Sequence, residues 1–519
     1  MKRAKRTKIG DNTLRFFRGI LLMAIGVLGV FLAQMLLELI LSDYPLSRLS
    51  ATSLDEARDF INLLNSKLVQ AMGVVLIAVG LAVPLTANMY SLKFLDFFIR
   101  NPVNAAVLIF VVFANLSGIW VSYSLKSAAI PTFQLHLVFI LTIISLLLVV
   151  PYLFYVFRFL HPNTLLHLLE KEVNACLKAA FRKSGAVENR ERVAETLEHI
   201  ANISVRSVDR SDRNTAIESI LTLERVARKY WAAKEKLHPS WFEADPNIFL
   251  GFSSLAMDEM RLTRSWLEMK LYYQFFEVLR GSCPRMPELT STIAESLRRL
   301  GLESVSLENP ALRDLTVEYF NTFLRLTINR HDVRSVFIIF DQYRTLAETM
   351  EGKFPNEVLE IAYYFEYYGE AAREQQLPFV VEAVAHDLGA LVRRAWQSES
   401  PNREKLLERF LHYDQQSSPV LPGVKKAHAL LASYFLYSGQ KEAADLIGRS
   451  FRGLDPAFVQ TLQEDLLQVT RQKYWEVSER RMNIEFVPSP QRERLREFFD
   501  GLLKGQGGGK EVSRPFLPE

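Results

Sequence analysis

The stretch RFLHPNTLLHLLEKEV, residues 158–173, separates two kinds of sequence in a chain of 519 residues. Before it, the chain contains long apolar runs with few charges. After it, charged residues recur throughout, and apolar residues fall at the spacing of amphipathic helices with almost no alternating strand pattern. This division predicts an all-α protein in which a membrane domain is joined to a water-exposed helical domain.

Four segments are apolar over about 20 residues, the length that an α-helix needs to cross a bilayer. No small-residue cleavage site follows the first of them, so we expect an uncleaved anchor rather than a signal peptide. The predicted spans are residues 19–41, 68–90, 104–125 and 134–157, within a transmembrane domain of residues 19–160.

Basic residues predict the orientation of these spans, because Lys and Arg collect on the cytoplasmic side of membrane proteins. Residues 1–18, before the first span, are basic and include Lys2, Arg3 and Lys5. We therefore expect a cytosolic N-terminus, and four spans would return the chain to the same side. The charged region beyond residue 160 agrees, since a large charged domain is retained more easily than it is exported.

Polar side chains within the spans are the candidates for a transport role, because charge in a bilayer is costly and usually functional. Glu38 is near the end of the first span, where its carboxylate can reach the interface, and Gln34 lies one turn deeper on the same face. Helix packing and an interfacial acid explain this pair without transport. The alternative is an oligomeric pore lined by polar side chains, for which the candidates are Gln34, Glu38, Asn115, Ser117 and His136.

Loops that contain proline divide the charged half into three regions. We predict a helical domain over residues 161–286 and a tetratricopeptide-like helical region over residues 287–480. Residues 481–519 are predicted to form a C-terminal helix and a flexible, glycine-rich tail.

An internal echo supports the repeat-like region. AYYFEYYG at residues 362–369 and ASYFLYSG at residues 432–439 share the pattern A-x-Y-F-x-Y-x-G, 70 residues apart. That offset is close to two periods of a tetratricopeptide repeat of about 34 residues. Two architectures fit: an irregular α-solenoid that binds a protein partner, and a compact helical bundle in which these aromatic residues are core. In the solenoid, the candidate partner-binding residues are Tyr364, Phe365, Tyr434 and Phe435.

A turn rich in arginine lies between two helices of the first cytosolic region. Arg206, Arg210 and Arg213 flank the start of the second helix, where they could bind an anion or a lipid phosphate. The alternative is a solvated turn, because aspartates within it neutralise part of the charge. Thr215 and Glu218 have the spacing of a capping box, which predicts a helix start there without any ligand.

No catalytic or metal-binding motif is legible in the chain. The nine histidines show no ligand spacing, and no nucleophile elbow or kinase motif set is present. Cys176 and Cys283 provide neither a disulfide framework nor a C-x-x-C pair, which is typical of a reducing cytosol. The net charge of +4 is too small to indicate nucleic-acid binding. We therefore predict no enzymatic activity, no cofactor, no metal and no nucleic-acid partner.

Three stretches of the chain carry a resemblance: VPLTANMYSLKFLDFFIRNPVNAAVLIFVV at 83–112, ISVRSVDRSDRNTAIESILTLERVA at 203–227 and LAMDEMR at 255–261. Through them, residues 64 to 280 resemble a family of bacterial predicted membrane proteins of uncharacterised function, in which four spans precede a cytosolic helical region. That family has a Ser-Pro-Gly turn and an Asn-Asp-Pro sequence before a Thr-Ala helix start. This chain keeps Thr215 and Ala216 but differs over residues 209–214. The resemblance implies the four-span topology and a bacterial origin, and no activity.

Together these patterns predict a multi-pass protein of the bacterial inner membrane with both termini in the cytosol. We expect it to contact the lipid bilayer, to form a homo-oligomer and to bind a cytosolic protein partner through its helical domain, as a membrane-anchored scaffold or adaptor. The alternative is an oligomeric ion or small-solute channel that the cytosolic domain gates.

Overall fold

A computed structural model describes residue 36 and residues 53–90, 93–125, 132–415, 420–474, 480 and 482–507. Within these ranges the regular structure is helical, and the only β-type pairing is one isolated bridge between Lys473 and Met482. The predicted all-α fold is confirmed for this part of the chain. The chain divides into two compact units, Met1–Leu168 and Leu169–Glu519.

The first unit contains three long apolar helices in its described part. By length and composition α1, α3 and α4 could each cross a membrane, and the predicted spans 68–90, 104–125 and 134–157 fall on them. Apart from residue 36, the predicted span 19–41 lies outside the described residues, as do Gln34 and Glu38, so three such helices are seen rather than four. The helices are α1 (Leu54–Met89), α2 (Lys93–Arg100), α3 (Pro102–Ser124) and α4 (Thr132–Phe159).

Helix α1 begins 14 residues before the predicted span. Ser53 caps it by accepting a hydrogen bond from the backbone N–H of Glu56 at 3.2 Å. The polar residues between positions 54 and 67 therefore continue the helix rather than forming a loop. Capping, which hydropathy does not report, decides where this helix starts.

Close approach between α1 and α3 depends on Gly118. The Asn65 side-chain amide donates to the Gly118 carbonyl at 3.2 Å, and a Cβ on Gly118 would lie 2.0 Å from Asn65 Oδ1. Ile61, Leu64 and Ala114 are buried in the core that α1 and α3 share with α4. The missing side chain thus lets a polar contact and an apolar core occupy one helix crossing.

The second unit is a succession of helices joined by short connections. Helix α5 carries the boundary between the two units, and the remaining helices belong to the second. The helices are α5 (Pro162–Ala179), α6 (Lys183–Asp209), α7 (Arg213–Lys234), α8 (Ser254–Leu262), α9 (Trp266–Ser282), α10 (Pro287–Ser306), α11 (Pro310–Asn329), α12 (Val333–Met350), α13 (Pro355–Glu374), α14 (Pro378–Gln397), α15 (Arg403–Gln415), α16 (Pro422–Tyr437), α17 (Lys441–Arg449), α18 (Pro456–Gln468) and α19 (Ser489–Gly507).

From α9 onward these helices form two layers. Helices α10, α12, α14 and α16 pack side by side in one layer, which α7 and α19 extend, and α9, α11, α13 and α15 form the other. From α9 to α15, consecutive helices pack across the layers. Each helix therefore contacts its neighbours in the array, as in helical repeat proteins. Because α7, α9 and α10 are part of one array, the helices on either side of residue 287 belong to the same compact unit.

The repeat is about 45 residues long, not the 34 expected from the sequence echo. Helices of the first layer begin at residues 287, 333, 378 and 422, in steps of 46, 45 and 44 residues. The echo at residues 362–369 lies on α13, in the second layer, whereas the echo at 432–439 lies on α16, in the first. The shared letters therefore belong to helices with different neighbours, and the tetratricopeptide period is wrong.

A recurrent turn joins the repeats. After a helix ends, one residue takes a positive φ, and the next backbone N–H bonds to the carbonyl five residues earlier, which is the Schellman arrangement. In three turns that next residue also caps the following helix: Asp212, Asn309 and Asp332. The residues with positive φ in these turns are Ser211, Arg264, Glu308, His331, Gln376, Glu399 and Gly439.

Candidate functional site

A groove lined by tyrosines lies on the outer side of α11 and α13. Glu318, Asn321, Thr322 and Arg325 line it from α11, at the spacing of one helical face. The groove has a volume of about 560 Å³. We call it the tyrosine groove, and its α13 side consists of Tyr363, Tyr364, Tyr367 and Tyr368.

Two of these tyrosines are exposed to solvent to an unusual degree for aromatic side chains. Tyr363 is 46% exposed and Tyr367 is 48% exposed. The Tyr364 hydroxyl donates to Glu360 at 2.7 Å, and this acceptor raises the pKa of Tyr364 to about 12, with burial adding to the effect. Exposed aromatic rings with a polar end are characteristic of docking surfaces.

One carboxylate, Glu318, lines the tyrosine groove, and Asp314, Glu360 and Glu259 lie beside it. Within the described residues, Asp314, Glu318, Glu360 and Glu259 form no ion pair. The nearby Arg313 is committed to Glu357, which it binds through two nitrogens, the closest pair at 2.8 Å. Burial raises the pKa of Asp314 and of Glu318, and neighbouring carboxylates raise both further, although Arg313 opposes part of this effect on Asp314.

One tyrosine of the groove already contacts a guanidinium group. The Arg409 guanidinium carbon lies 5.2 Å from the centre of the Tyr363 ring, within cation–π range. Arg409 also binds Glu366 at 3.0 Å. The groove thus shows within one chain that its rings accept an arginine.

A second candidate is a cavity of about 340 Å³ bounded by α12, α14, α16 and residues 482–491. Tyr434 lines it, together with His386, Arg393 and Phe486. Burial, with the positive charges of Arg480 and Lys426, lowers the pKa of His386 to about 3, so this imidazole is neutral near pH 7. The lining of this cavity thus contains both charged side chains, such as Arg393, and apolar ones, such as Phe486.

The floor of the cavity is a buried charge network. Arg480 binds Asp387 through two nitrogens, at 2.6 and 2.8 Å, and Arg344 binds the same carboxylate at 3.1 Å. Arg344 also binds Asp341 at 2.8 Å, and the guanidinium of Arg480 stacks 3.9 Å from the centre of the Phe337 ring. Asp387 and Asp341 therefore each have an arginine partner, and the network links α12, α14 and residue 480 without leaving an unpaired carboxylate.

The four aromatic residues of the echo have different environments. Phe365 and Phe435 are fully buried, so they are core side chains and do not lie on a partner-binding surface. Tyr364 lines the tyrosine groove, and Tyr434 lines the cavity. Since α13 and α16 are in different layers, these residues form two surfaces instead of one.

The glycines of the echo also serve different purposes. Gly369 lies inside α13, where a Cβ would come within 2.3 Å of the Tyr413 hydroxyl of α15. Gly439 follows α16 with a φ of +80°, a conformation that side chains disfavour. One letter therefore satisfies a packing requirement in one place and a backbone requirement in the other.

The arginine-rich turn is capped by its own carboxylate. Asp212, not Thr215, is the N-cap of α7, and its side chain accepts the Thr215 N–H at 3.2 Å. The expected capping box is therefore wrong, because Glu218 binds Arg225 instead, at 2.8 Å. Arg213 lies 3.9 Å from Glu288, and Arg206 and Arg210 are on the surface. The carboxylate of Asp212 occupies the place that an anion would take.

Polar candidates on the apolar helices are turned into the first unit. Asn115 is buried, and its side-chain amide donates to the Val111 carbonyl one turn earlier at 2.8 Å. Ser117 is buried on the same helix, and His136 is half-buried near the start of α4. Asn115 thus bonds within its own helix, which explains its burial without a pore.

Sequence reasoning did not identify Asp387, Arg480, or the exposed Tyr363 and Tyr367. An acid within the apolar run VVEAVAHDLGALV was a signal for Asp387, because a buried charge needs a partner. Its partner Arg480 is 93 residues away, so only the fold identifies it.

Comparisons with known proteins place few limits on this site. No protein-family model matches the chain, and no curated protein matches it. Among solved structures, a circular tandem repeat protein with novel repeat topology and enhanced subunit contact surfaces aligns over 88% of this chain and 98% of its own. The identity is 13% and the TM-score is 0.34, a likeness too low to support a conclusion about either protein.

Proposed function

We propose that this chain is a multi-pass protein of the bacterial inner membrane whose α-solenoid domain holds a protein partner at the membrane. The tyrosine groove is the docking surface, and the domain works in the cytosol as a scaffold or adaptor. The observation that carries this proposal is the pair of exposed rings, Tyr363 and Tyr367, beside unpaired carboxylates in a concave surface.

The distribution of side chains in the first unit supports membrane insertion. Leu81, Leu147 and Phe154 are 68–71% exposed, whereas Asn104 and Thr142 are buried. In water, each exposed apolar side chain would cost free energy, at about 25 cal/mol per Å². In hydrocarbon the same faces need no cover, and polar groups belong inside.

Exposed tyrosines support docking because they give a large contact area with little loss of conformational freedom and end in a hydroxyl. Aromatic residues are enriched among the residues that contribute most to interfaces. A repeat array presents such a surface over several helices at once. Among the described residues no three His, Cys, Asp or Glu side chains are grouped as a metal site.

The test is photo-crosslinking in cells that produce the full-length protein. A benzophenone amino acid replaces Tyr367 in the groove, and in a separate variant it replaces Tyr437, which is 56% exposed and lies on α16. We expect one defined protein adduct at position 367, absent at position 437 and lost when Tyr363 is changed to Ser. The same adducts at both positions, or none at position 367, would contradict the proposal.

A further inference from the structure

We propose that the tyrosine groove binds an extended protein segment rich in arginine or lysine. This inference rests on the proposed docking function and specifies the chemistry of the partner. The groove provides cation acceptors of two kinds. One is the Glu318 carboxylate on α11, with Asp314 and Glu360 beside it, and the other is the row of tyrosine rings on α13.

The charge of the groove favours a cationic occupant. Asp314, Glu318, Glu259 and Glu360 form no ion pair within the described residues, whereas Arg325 lines the groove and Arg409 lies over the Tyr363 ring. The whole chain carries a net charge of +4, so its overall electrostatic field would repel a basic segment. Binding of a basic segment must therefore come from the local carboxylates.

The carboxylates are also held close together at a cost. The pKa of Glu318 is raised by burial and then by Glu259 and Asp314, and the pKa of Asp314 by burial and then by Glu357. An arriving cation relieves this repulsion and favours the ionised acids. The affinity for a basic segment should therefore fall as the pH is lowered and these acids bind protons, and it should also fall as salt is added.

The aromatic side of the groove provides the second component. Arg409 already lies over the Tyr363 ring at 5.2 Å, which shows the geometry that a partner's arginine would adopt over Tyr367. Alternating positive and small residues would place every second side chain toward the groove. An extended basic segment fits these two requirements better than a folded acidic or apolar surface does.

The experiment measures fluorescence anisotropy with the full-length protein in uncharged phosphatidylcholine nanodiscs. The probe is a short fluorescein-labelled peptide of alternating arginine and serine, and the same peptide with glutamate for arginine is the blank. The groove variant is Asp314→Asn/Glu318→Gln/Glu360→Gln, and a second is Tyr363→Ser/Tyr367→Ser. The matched control neutralises three exposed carboxylates of α6, Glu188→Gln/Glu191→Gln/Glu195→Gln, which changes the net charge equally.

We expect the arginine peptide to bind the wild type and the control, and both groove variants to lose about tenfold or more in affinity. Circular dichroism of each variant confirms that the helices are retained. Equal affinity for the wild type and the groove variants would overturn the inference. To exclude competition by the basic N-terminal segment, the peptide is also tested on the variant Lys2→Gln/Arg3→Gln/Lys5→Gln/Arg6→Gln/Lys8→Gln. No binding to that variant or to the wild type would overturn it as well.

The two proposals can fail separately. If position 367 captures a defined partner in cells but the arginine peptide does not bind, the docking function stands and the basic-segment inference is wrong. If the peptide does not bind and position 367 captures nothing, both proposals are wrong.

Discussion

Replacing Arg480 by Met tests whether the buried charge network holds the second unit together. The side chain of Arg480 is 5% exposed, and that of its partner Asp387 is 2% exposed. The substitution keeps an apolar chain of similar length but removes both hydrogen bonds to the carboxylate. Asp387 then remains buried with Arg344 alone, at 3.1 Å.

The structure sets the size of this effect. Breaking a buried ion pair by removing one partner costs about 3–5 kcal/mol, because the remaining charge is uncompensated. Since Arg344 still compensates part of that charge, we expect the lower end, about 3 kcal/mol. Opening of α14 returns the Asp387 carboxylate to water, so the loss should appear as easier opening of that helix. At 1.4 kcal/mol per factor of ten, amides of α14 should exchange about 100-fold faster.

Hydrogen–deuterium exchange by mass spectrometry on the full-length protein in detergent is the assay, because repeat arrays need not unfold in one step. Arg494→Met is the matched control. Arg494 binds Glu497 at 2.6 Å, as short as the Arg480 contact, but the side chains are 50% and 55% exposed. We expect no change from the control. Unchanged exchange of α14 in Arg480→Met, or equal acceleration in both variants, would refute the argument from burial.

Two further predictions follow from the second unit. Gly369→Ala should destabilise it by about 1–3 kcal/mol, since the new Cβ would meet the buried ring of Tyr413. Gly501→Ala on α19 is the control, because its Cβ would enter open space and the change should be neutral or stabilising. Thermal unfolding of both variants measures the difference. For His386, the folded pKa of about 3 lies below the ordinary 6.5, so the unfolded chain binds a proton first and stability falls as pH decreases below 6.5. His386→Gln should therefore lose less stability than the wild type between pH 6.5 and 4.5, by at most about 1.4 kcal/mol per pH unit, and parallel denaturation curves would contradict this.

The sequence was a good guide to the kind of element and a poor guide to the neighbours of each element. Hydropathy located α1, α3 and α4, because a run of apolar residues long enough to span a bilayer is a local property. The start of α7 was misplaced, because two residues near each other in sequence, Asp212 and Thr215, both offered a cap and only the backbone geometry chose between them.

The repeat length could not be obtained from the echo, because the turns between repeats share no residue type at the position with positive φ. Six of the seven recurrent turns in the described residues use a residue other than glycine at positive φ, among them Ser211, His331 and Gln376. A search for glycine therefore misses them, although Gly439 alone follows the usual preference. Two of the partner-binding candidates, Phe365 and Phe435, are buried core residues, since helical spacing does not tell which face of a helix packs on the neighbouring layer.

The amino-acid sequence by itself determined that the described part of the chain is helical, where its three long apolar helices lie and that the charged half follows them. These properties depend on the spacing and polarity of nearby residues. The tertiary structure decided which residues meet: Arg480 with Asp387 across 93 positions, and α11 with α13 to form the tyrosine groove. Burial and ion pairing depend on the distance between side chains in space. A chain that repeats a pair of packed helices about every 45 residues brings together groups that no local pattern connects.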